Sequence, residues 1–399
     1  MKTKPRHIIF TICLVATIAA CMYKGFPRFW ERCYNQVAYS FFGKTINPYV
    51  VKGRANELFL KPNIDDISGK TLLDHYGSIE NAKAEAQKNV EATKRLIDTL
   101  HRHGSDFLFV FCPTKPAVYP EYLPKDIQKQ ISGFSMADYY IQLFKENGIP
   151  HIDFYSHFKN VKNSFPYPLY TRYGSHWAES TIPFVGDSIY RKLEEIAGIE
   201  LPSIRTIDLN LTKDYSIQDD ELEPGLNLLF SLPKPKLPRP ICSLTDTLGK
   251  DRPNLLVICD GYFTPLANSC FLDAFHHWDY WIYNRDTYSS RPAYHWRHLD
   301  MLYEAAEILE EADIVIALYT SNYLFDYLHG FTESAQDLLQ HGKYDRQESI
   351  QLIIEQIKAD PQWMEAVEQQ ARERGLSTEE NLYQNAEYVF NQNEMKKEQ

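Results

Sequence analysis

Two turns of the chain carry residues suited to acid–base or nucleophilic chemistry. The first is Tyr-Gly-Ser-His-Trp at 173–177, where His176 lies just before a predicted helix. The second is Asp-Gly-Tyr-Phe at 260–263, directly after an apolar run. A histidine at a helix entrance can act as a general base toward a hydroxyl. Because a lone His-Trp pair is also compatible with simple packing, the residue types alone make His176 a candidate base and no more.

The apolar run Leu255–Cys259 must position the second turn. Its unbroken apolar pattern is typical of a strand buried on both faces of a parallel sheet. Asp260-Gly261 ends that strand, and residues 264–275 are predicted to form a helix. Since open α/β sheets carry their reactive groups at the carboxyl ends of strands, we expect His176 and Gly261 to lie close together, at the ends of neighbouring strands.

Strand and helix patterns alternate along much of the chain, which predicts an α/β fold with a mostly parallel sheet flanked by helices. The predicted helices are 78–101, 136–146, 178–196 and 299–311, and the other predicted strands are 107–111, 151–154 and 314–319.

Composition divides the chain into regions. Residues 24–77 form a connecting region, 78–335 the main domain, and 336–399 a charged helical extension. Residues 200–250 are rich in proline and poor in periodicity, which predicts an excursion over the sheet and not a separate domain.

The N-terminus has the pattern of an export signal. Lys2, Lys4 and Arg6 precede an apolar run at 8–22, so residues 1–23 are predicted to be a secretory signal or a signal anchor. Cys21 also fits a lipoprotein cleavage box, and a buried helix is the third interpretation. The positive charge before the run predicts a membrane-anchored protein that faces the periplasm or the cell exterior.

Composition also excludes several classes of function. The net charge of −11 over 399 residues argues against nucleic-acid binding, which needs a basic face. The seven cysteines include no Cys-x-x-Cys pair, and an odd count predicts no disulfide framework. No metal-ligand cluster or cofactor motif is recognised, so neither a metal nor a cofactor is predicted.

Several motifs, taken together and in order, resemble the alginate O-acetyltransferase AlgJ/AlgX family. They are the export signal, Pro-Thr-Lys-Pro-Ala-Val-Tyr-Pro at 113–120 followed by Leu123-Pro124, His176-Trp177, the Asp260 turn, and Tyr-Thr-Ser-Asn-Tyr at 319–323. The resemblance covers roughly residues 45–335 and implies an SGNH-hydrolase-like α/β fold. It also implies the transfer of an acetyl group to a hydroxyl of an exopolysaccharide.

The resemblance implies a Ser-His-Asp triad, of which this chain matches one member. His176 matches the histidine of an Asp-x-His-Trp motif and Trp177 its tryptophan, but Gly174 stands in place of the aspartate. Gly261 stands in place of the serine, after Asp260. Without an oxygen or sulfur nucleophile, covalent acyl transfer has no first step.

Other residues are candidates to replace the two missing members of the triad. Ser175, Cys259, Ser269 and Asp260 are the alternative nucleophiles, although none has the expected placement. The acids that could orient His176 are Asp153, Asp219, Asp220 and Glu221, and spacing alone does not choose among them.

The sequence therefore predicts an exported, membrane-tethered relative of polysaccharide O-acetyltransferases that binds glycan or acts as a scaffold after losing catalysis. An active esterase or acetyltransferase with an unusual nucleophile is the alternative, and a structural partner in a cell-envelope complex, docking through the C-terminal helices, is a third. The predicted substrate contacts are Lys115, Tyr119, Trp177, Tyr262 and Asn322.

Overall fold

The computed structural model describes residues 26–131, 133–291, 297–299, 304–341 and 346–397. The predicted signal or anchor at 1–23 lies outside the described residues, as do residues 300–303 of the predicted helix 299–311. Within the described ranges, no helix combines the length and apolarity needed to cross a membrane.

The helices and strands follow one another along the chain as follows. The α-helices are α1 Phe26–Phe42, α2 Lys61–Ile67, α3 Lys70–Tyr76, α4 Ile79–Arg102, α5 Lys115–Val118, α6 Lys125–Gln128, α7 Met136–Glu146, α8 Phe154–Val161, α9 Ile182–Ala197, α10 Thr264–Ala267, α11 Ala305–Glu311, α12 Phe331–His341, α13 Arg346–Ala359, α14 Pro361–Arg374 and α15 Thr378–Lys397. The strands are β1 Val50–Lys52, β2 Leu58–Leu60, β3 Asp106–Cys112, β4 His151–Asp153, β5 Ser203–Thr212, β6 Leu237–Thr245, β7 Leu255–Cys259, β8 Trp278–Ile282, β9 Asp286–Ser289, β10 Arg297–His298 and β11 Ile314–Thr320.

Seven of these strands form the main sheet, in the order β10-β9-β8-β7-β11-β3-β4. The five strands from β8 to β4 are parallel, whereas β9 and β10 add an antiparallel edge. Strand β11 lies between β7 and β3, with Ile314 paired to Leu255 on one side and to Asp106 on the other. The predicted α/β class and mostly parallel sheet are confirmed.

The sheet is apolar on both faces because helices cover both. On β3, Phe107, Phe109 and Phe111 point to one core, and the alternate residues Leu108 and Val110 point to the other. Helices α4, α7, α11 and α12 contribute to the first core, and α8, α9 and the segment after β7 contribute to the second. Burying each large apolar side chain stabilises the fold by about 1.5–3 kcal/mol.

Most predicted elements occur within a residue or two of their expected bounds. Helix α4 begins after Ser78, whose side chain accepts a hydrogen bond from the Asn81 backbone N–H and caps the first turn. Helix α7 and strand β7 have the predicted limits. Helix α9 begins later than expected, at Ile182, because a 3-10 turn at Glu179–Thr181 precedes it and places Pro183 in the first helical turn.

The predicted helix 264–275 is wrong. Helix α10 ends at Ala267, and a separate 3-10 helix follows at Cys270–Ala274. Ser269 causes the break, since its hydroxyl accepts a hydrogen bond from the Phe271 backbone N–H and caps the second segment. The single turn of helix after the strand still lets the chain reverse direction beside β7.

The excursion at 200–250 is more regular than its composition indicated. Strands β5 and β6 pair along nine positions as a long antiparallel ribbon with one irregularity near Asp208. Proline is compatible with this two-stranded ribbon because each strand has one free edge. Asp187 of α9 accepts a hydrogen bond from the Ile204 backbone N–H and so ties the ribbon to the main fold.

The C-terminal helices α13 to α15 pack around a small core of their own, which contains Ile350, Ile353, Ile357, Val367 and Leu382. On α13, Ile350, Ile353, Ile354 and Ile357 are buried in this core, whereas Leu352 is only half-buried. The domain boundaries stay a prediction.

Candidate functional site

A cleft of about 360 Å³ opens at the carboxyl ends of β7 and β11. Residues from the β1–β2 region, the 173–177 turn, the excursion and the turn after β11 all contribute to its walls. The lining residues are Asn47, Tyr49, Val50, Leu60, Asn63, Ser175, His176, Glu221, Leu222, Asp260, Gly261, Tyr262, Tyr283, Thr320, Asn322 and Tyr323. The two turns that the sequence singled out therefore meet in one site.

Asp260 joins the two central strands at the floor of this cleft. One carboxylate oxygen accepts a hydrogen bond from the Tyr262 backbone N–H at 2.9 Å. The other accepts from both the backbone N–H and the hydroxyl of Thr320, each at 2.8 Å. The side chain is fully buried, and burial raises its pKa while the Thr320 and Tyr262 hydrogen bonds lower it in part. Asp260 therefore holds the turn to β11, and its oxygens are not directed toward a substrate.

Gly261 begins a 3-10 helix that ends at Phe263. A β-carbon built on Gly261 would lie 3.1 Å from Nε2 of His176 and 3.6 Å from the hydroxyl of Tyr283. The backbone at Gly261 is outside the left-handed region, so a residue with a side chain could adopt it. The histidine thus faces the position where a nucleophile would be attached, but the glycine offers no oxygen or sulfur atom.

The predicted proximity of His176 and Gly261 is confirmed by this contact, but the expected strand arrangement is wrong. Gly261 follows β7, whereas His176 lies in the long connection between α8 and α9. That connection is held by an isolated antiparallel bridge between Tyr170 and Trp177. His176 therefore reaches the carboxyl ends of the strands from a loop, and not from the end of a neighbouring strand.

Glu221 supplies the carboxylate that orients the histidine. Nδ1 of His176 lies 2.9 Å from the Glu221 carboxylate. A neutral imidazole that donates through Nδ1 leaves the Nε2 lone pair directed at Gly261, as a general base requires. Burial alone would raise the pKa of Glu221, but the hydrogen bonds from His176 and Ser175 outweigh it and lower that pKa.

Two hydrogen bonds hold the excursion against the 171–175 loop on either side of Glu221. The hydroxyl of Thr171 donates to the Asp219 carbonyl at 2.6 Å, and the Leu222 backbone N–H donates to the Tyr173 carbonyl at 3.0 Å. The Ser175 backbone N–H also donates to Glu221 at 2.6 Å. Among the four acids that the sequence left open, the fold thus selects Glu221.

Gly174 has no room for the aspartate that the family motif would place there. A β-carbon at Gly174 would lie 2.3 Å from the Gln218 carbonyl oxygen and 2.7 Å from the Thr171 hydroxyl. The excursion therefore fills the space of the missing carboxylate and delivers another carboxylate a few residues later.

The alternative nucleophiles do not face Nε2 of His176. The Ser175 hydroxyl donates to Glu221, on the Nδ1 side of the ring. Cys259 is fully buried in the core beneath the sheet, and burial raises the pKa of its thiol well above the usual value. Ser269 donates to the Leu266 carbonyl and lies outside the cleft.

Lys115 and Trp177 are buried, and neither lines the cleft. The Lys115 ammonium donates to the carbonyls of Leu58, Thr171 and Arg172 at 2.7–2.8 Å and lies 3.0 Å from Glu57. It fastens the histidine loop to β2. This placement does not support the predicted substrate contact by either side chain.

Tyr119, Tyr262 and Asn322 complete the predicted contacts. Tyr119 lies outside the cleft, where its hydroxyl accepts a hydrogen bond from the Leu169 backbone N–H. Tyr262 and Asn322 line the cleft. The Tyr262 hydroxyl donates to the Ser175 carbonyl at 2.6 Å, and its ring lies 4.8 Å from that of His176.

The wall opposite His176 is aromatic. The rings of Tyr283 and Tyr323 lie 5.3 Å apart, and both contact His329. Tyr283 and Asn284 have φ values of 55° and 48° and form the tight connection between β8 and β9. A tyrosine in this left-handed region is strained, and such strain is common at functional sites.

Sequence reasoning missed Tyr283, Tyr49 and the amides Asn47 and Asn63. Tyr283-Asn284 carried one usable signal, because Asn in a short gap between strand-like runs indicates a tight hairpin. No local pattern marks Asn47 and Asn63, which reach the cleft only through the fold. Within the described residues, no group of three or more metal-ligating side chains is close enough to hold a metal ion.

Comparison with known proteins supports the resemblance found in the sequence. Residues 72–196 match a family model described as "SGNH hydrolase-like domain, acetyltransferase AlgX". That segment includes His176 but ends before Glu221 and Gly261. The resemblance to the AlgJ/AlgX family is thereby confirmed, and it supports a general acetyltransferase-like role. No curated protein sequence matches the chain.

The solved structures that are similar to this fold include the following three. Pseudomonas aeruginosa AlgX is 16% identical, with 77% of this chain and 72% of that chain covered and a TM-score of 0.50. The O-acetyltransferase domain of Pseudomonas putida AlgJ is 16% identical, with 71% and 99% covered and a TM-score of 0.44. Bacillus cereus PatB1, solved with a sulfonyl adduct, is 12% identical, with 61% and 91% covered and a TM-score of 0.41.

Proposed function

We propose that this chain, which resembles AlgJ and AlgX, is an acetyltransferase-like protein that binds glycan in its cleft and forms no acyl-enzyme at residue 261. The observation that carries the proposal is Gly261, whose α-carbon faces Nε2 of His176 without a nucleophilic atom between them. Nucleophilic catalysis needs that atom, because an oxygen or sulfur must attack the acyl carbonyl and hold the acyl group.

The cleft walls support a glycan as ligand. Tyr49, Tyr283 and Tyr323 line the cleft with aromatic rings and hydroxyls, and Asn63 and Asn322 add amide donors and acceptors. Aromatic faces pack on the apolar faces of sugars, and amides and phenols hydrogen-bond to hydroxyl groups.

The charges of the cleft favour a neutral glycan over a polyuronate. Among the described residues that line it there is no lysine or arginine, whereas Glu221 is a carboxylate with a lowered pKa. An anionic chain would bring its charge toward this carboxylate without a cation to compensate it. A neutral hexose or N-acetylhexosamine chain avoids that cost.

We also propose that the protein is exported from the cytoplasm. The positive residues before the apolar run at 8–22 support a tethered protein whose cleft faces the periplasm or cell exterior. A reporter fused after residue 45 should be active outside the cytoplasm, and cytoplasmic activity would contradict the proposal. Cys21→Ala should mislocalise a lipoprotein but leave a signal anchor in place.

One observation favours a second function, which is transfer without a covalent intermediate. The His176–Glu221 pair is intact, and Nε2 faces the cleft. Nε2 could accept the proton of a bound glycan hydroxyl while that oxygen attacks the carbonyl carbon of an acyl ester. The ester's alcohol or thiol would then leave with the proton returned by His176.

Incubation with an activated acetyl ester, followed by intact-protein mass spectrometry and product measurement, tests both functions. The proposed binding protein shows neither an acetyl adduct at the cleft nor turnover that His176→Ala abolishes. A stable adduct on a cleft residue, lost in His176→Ala, would overturn the proposal. Turnover without an adduct, lost in both His176→Ala and Glu221→Gln, would establish the direct transfer instead.

Calorimetric titration tests the ligand class. Neutral oligosaccharides should bind, oligouronates of equal length should bind at least 10-fold more weakly, and Tyr323→Ala should weaken binding of the neutral chain by about 1–2 kcal/mol. The matched control is Tyr388→Ala, an exposed tyrosine on α15. Equal binding by neutral and anionic chains would contradict the preference for a neutral glycan. Equal effects of the two substitutions would contradict a glycan site in this cleft.

A further inference from the structure

Two cysteines that are distant in sequence lie in contact beside the excursion. Sγ of Cys242 in β6 is 2.7 Å from Sγ of Cys270, which begins the 3-10 helix after α10. The Cys270 backbone N–H also points at Sγ of Cys242, at 3.4 Å. A covalent S–S bond is about 2.05 Å long, so the two sulfur atoms already lie within about 1 Å of bonding distance.

We propose that Cys242 and Cys270 form a disulfide when the protein meets an oxidising thiol–disulfide environment. The odd cysteine count concealed this pair, because it gave no reason to join any two of the seven. Of the other described cysteines, Cys112 and Cys259 are buried in the core, and Cys33 lies on α1.

The chemistry balances with a small-molecule disulfide such as oxidised glutathione as the oxidant. The Cys242 thiolate attacks one glutathione sulfur, which forms a mixed disulfide and releases the first glutathione thiol. Cys270 then loses its proton and attacks Sγ of Cys242, which releases the second glutathione thiol. Two protein thiols are oxidised by two electrons, and one glutathione disulfide is reduced to two thiols.

The surroundings suit the first step. The hydrogen bond donated by Cys270 lowers the pKa of Cys242, against the opposing effect of burial, and so favours the attacking thiolate. Both cysteines line an open depression of about 360 Å³ together with Ser269, Asn268 and Arg239. Small thiols and disulfides can reach Cys242 through this opening.

The bond would fasten the excursion to the site. Strand β6 closes the segment that carries Glu221, and Cys270 follows the turn of Gly261 by one short helix. A disulfide between them links the element that delivers the carboxylate to the element that lacks the nucleophile. This consequence stands whether or not the cleft binds a glycan.

Peptide mapping tests the bond directly. The purified full chain is equilibrated with oxidised glutathione, its remaining thiols are alkylated, and it is digested with trypsin and chymotrypsin, which separate Cys259 from Cys270. We expect a linked pair of peptides containing Cys242 and Cys270, which is lost on reduction and absent from Cys242→Ser, but present in the control Cys33→Ser. Alkylated thiols at both positions, or glutathione retained on Cys242, would overturn the proposal.

Thermal unfolding gives a second readout. Oxidation should raise the Tm of the natural chain and of Cys33→Ser by roughly 5 °C, because the bond closes a loop of about thirty residues in the unfolded chain. The double variant Cys242→Ser/Cys270→Ser should show no oxidation-dependent shift. An equal shift in the double variant would show that this pair is not responsible.

Discussion

Gly174 and Gly261 stand where the resemblance to AlgJ and AlgX implies two members of a triad, yet the structure treats the two losses differently. At Gly174 the backbone of Gln218 occupies the space of a side chain, and Glu221 brings a carboxylate to the same imidazole. At Gly261 the space faces the cleft, and the side-chain oxygen nearest to it is the Tyr283 hydroxyl, 3.6 Å from where a β-carbon would lie.

The difference follows from what each position has to do. An orienting acid only needs to reach Nδ1, and any segment that passes over the imidazole can deliver it. A nucleophile must lie between Nε2 and the acyl carbon at the end of β7, where the chain offers a single backbone position. The acid can therefore move to another element, whereas the nucleophile cannot.

The largest expected effect concerns the transferred acid in a chain with a restored nucleophile. Gly261→Ser requires His176 to shift by a few tenths of an ångström, and it should create a weak acetyl esterase that forms a serine adduct. Adding Glu221→Gln should lower that activity by up to about 10⁴-fold, because the amide cannot orient and stabilise the imidazolium. Ester hydrolysis and adduct mass give the measurement.

The control for this test is Asp214→Asn, which changes an exposed carboxylate of the same excursion. It should leave the activity of the serine variant unchanged. If Glu221→Gln also leaves that activity unchanged, Glu221 has not taken over the role of the missing aspartate.

Gly174→Asp should be the most destabilising of the single substitutions. Its β-carbon would overlap the Gln218 carbonyl oxygen, and its charge would be buried against that oxygen, at a cost of about 3–5 kcal/mol. Denaturant unfolding measures this loss, with Gly133→Ala as the control, since a β-carbon at Gly133 meets open space. Equal stability of the two variants would contradict the filled space at Gly174.

Lys115→Met should destabilise the loop at 171–176, which contains Gly174, without affecting β7, which precedes Gly261. It removes the ammonium and leaves buried carbonyls of Leu58 and Thr171 without that donor, at a cost of about 3 kcal/mol. Hydrogen exchange should quicken across 171–176 but not across β7. If hydrogen exchange quickened equally in both segments, Lys115 would not act locally.

Asp66→Asn should stabilise the protein slightly. Asp66 differs in this respect from Glu221, whose pKa is lowered in the folded protein. Burial raises the pKa of Asp66 to about 6, only partly offset by the hydrogen bond from Ser321. Between pH 4 and 6 the unfolded chain releases this proton while the folded chain keeps it, so the unfolding free energy contributed by Asp66 falls as the pH rises. Above pH 6 Asp66 is ionised in both the folded and the unfolded chain, and its full destabilising effect is present.

The variant should therefore gain about 1 kcal/mol over the natural chain at pH 7 and little at pH 4, measured by denaturant unfolding at both values. Asp65→Asn is the matched control, because Asp65 is paired with Lys61 on the surface of the same helix. A gain that is the same at both pH values would contradict the raised pKa.

Sequence patterns predicted the sheet because it depends on local periodicity. The two turns do meet as predicted, although His176 reaches Gly261 from a loop and not from the end of a strand. An unbroken apolar run such as Leu255–Cys259 must be buried on two faces, and its carboxyl end must then adjoin the other strand ends. The histidine could be named for the same reason, since it stands at a helix entrance in a recognisable motif.

The partner of that histidine could only be narrowed to four acids. Glu221 lies in the connection between β5 and β6, a region whose sequence carries no clear period. Its position is fixed by the hydrogen bond that Thr171 donates to the Asp219 carbonyl and by the one that the Leu222 backbone N–H donates to the Tyr173 carbonyl. Lys115 was predicted to contact substrate because its motif is recognisable. Its burial, with the ammonium directed at four backbone carbonyls, could not be seen in the sequence. Contacts between distant segments decide both cases.

The central position of β11 has a consequence for how the protein is made. Its partners β3 and β7 are both synthesised earlier, and β3 precedes it by about two hundred residues, since Ile314 pairs with Asp106. Until residue 320 emerges, the nascent chain holds two sheet fragments with open apolar edges, which favours slow folding and exposes it to aggregation. A chain that stops short of β11 cannot join these fragments, so folding of the main sheet waits for the last of its strands.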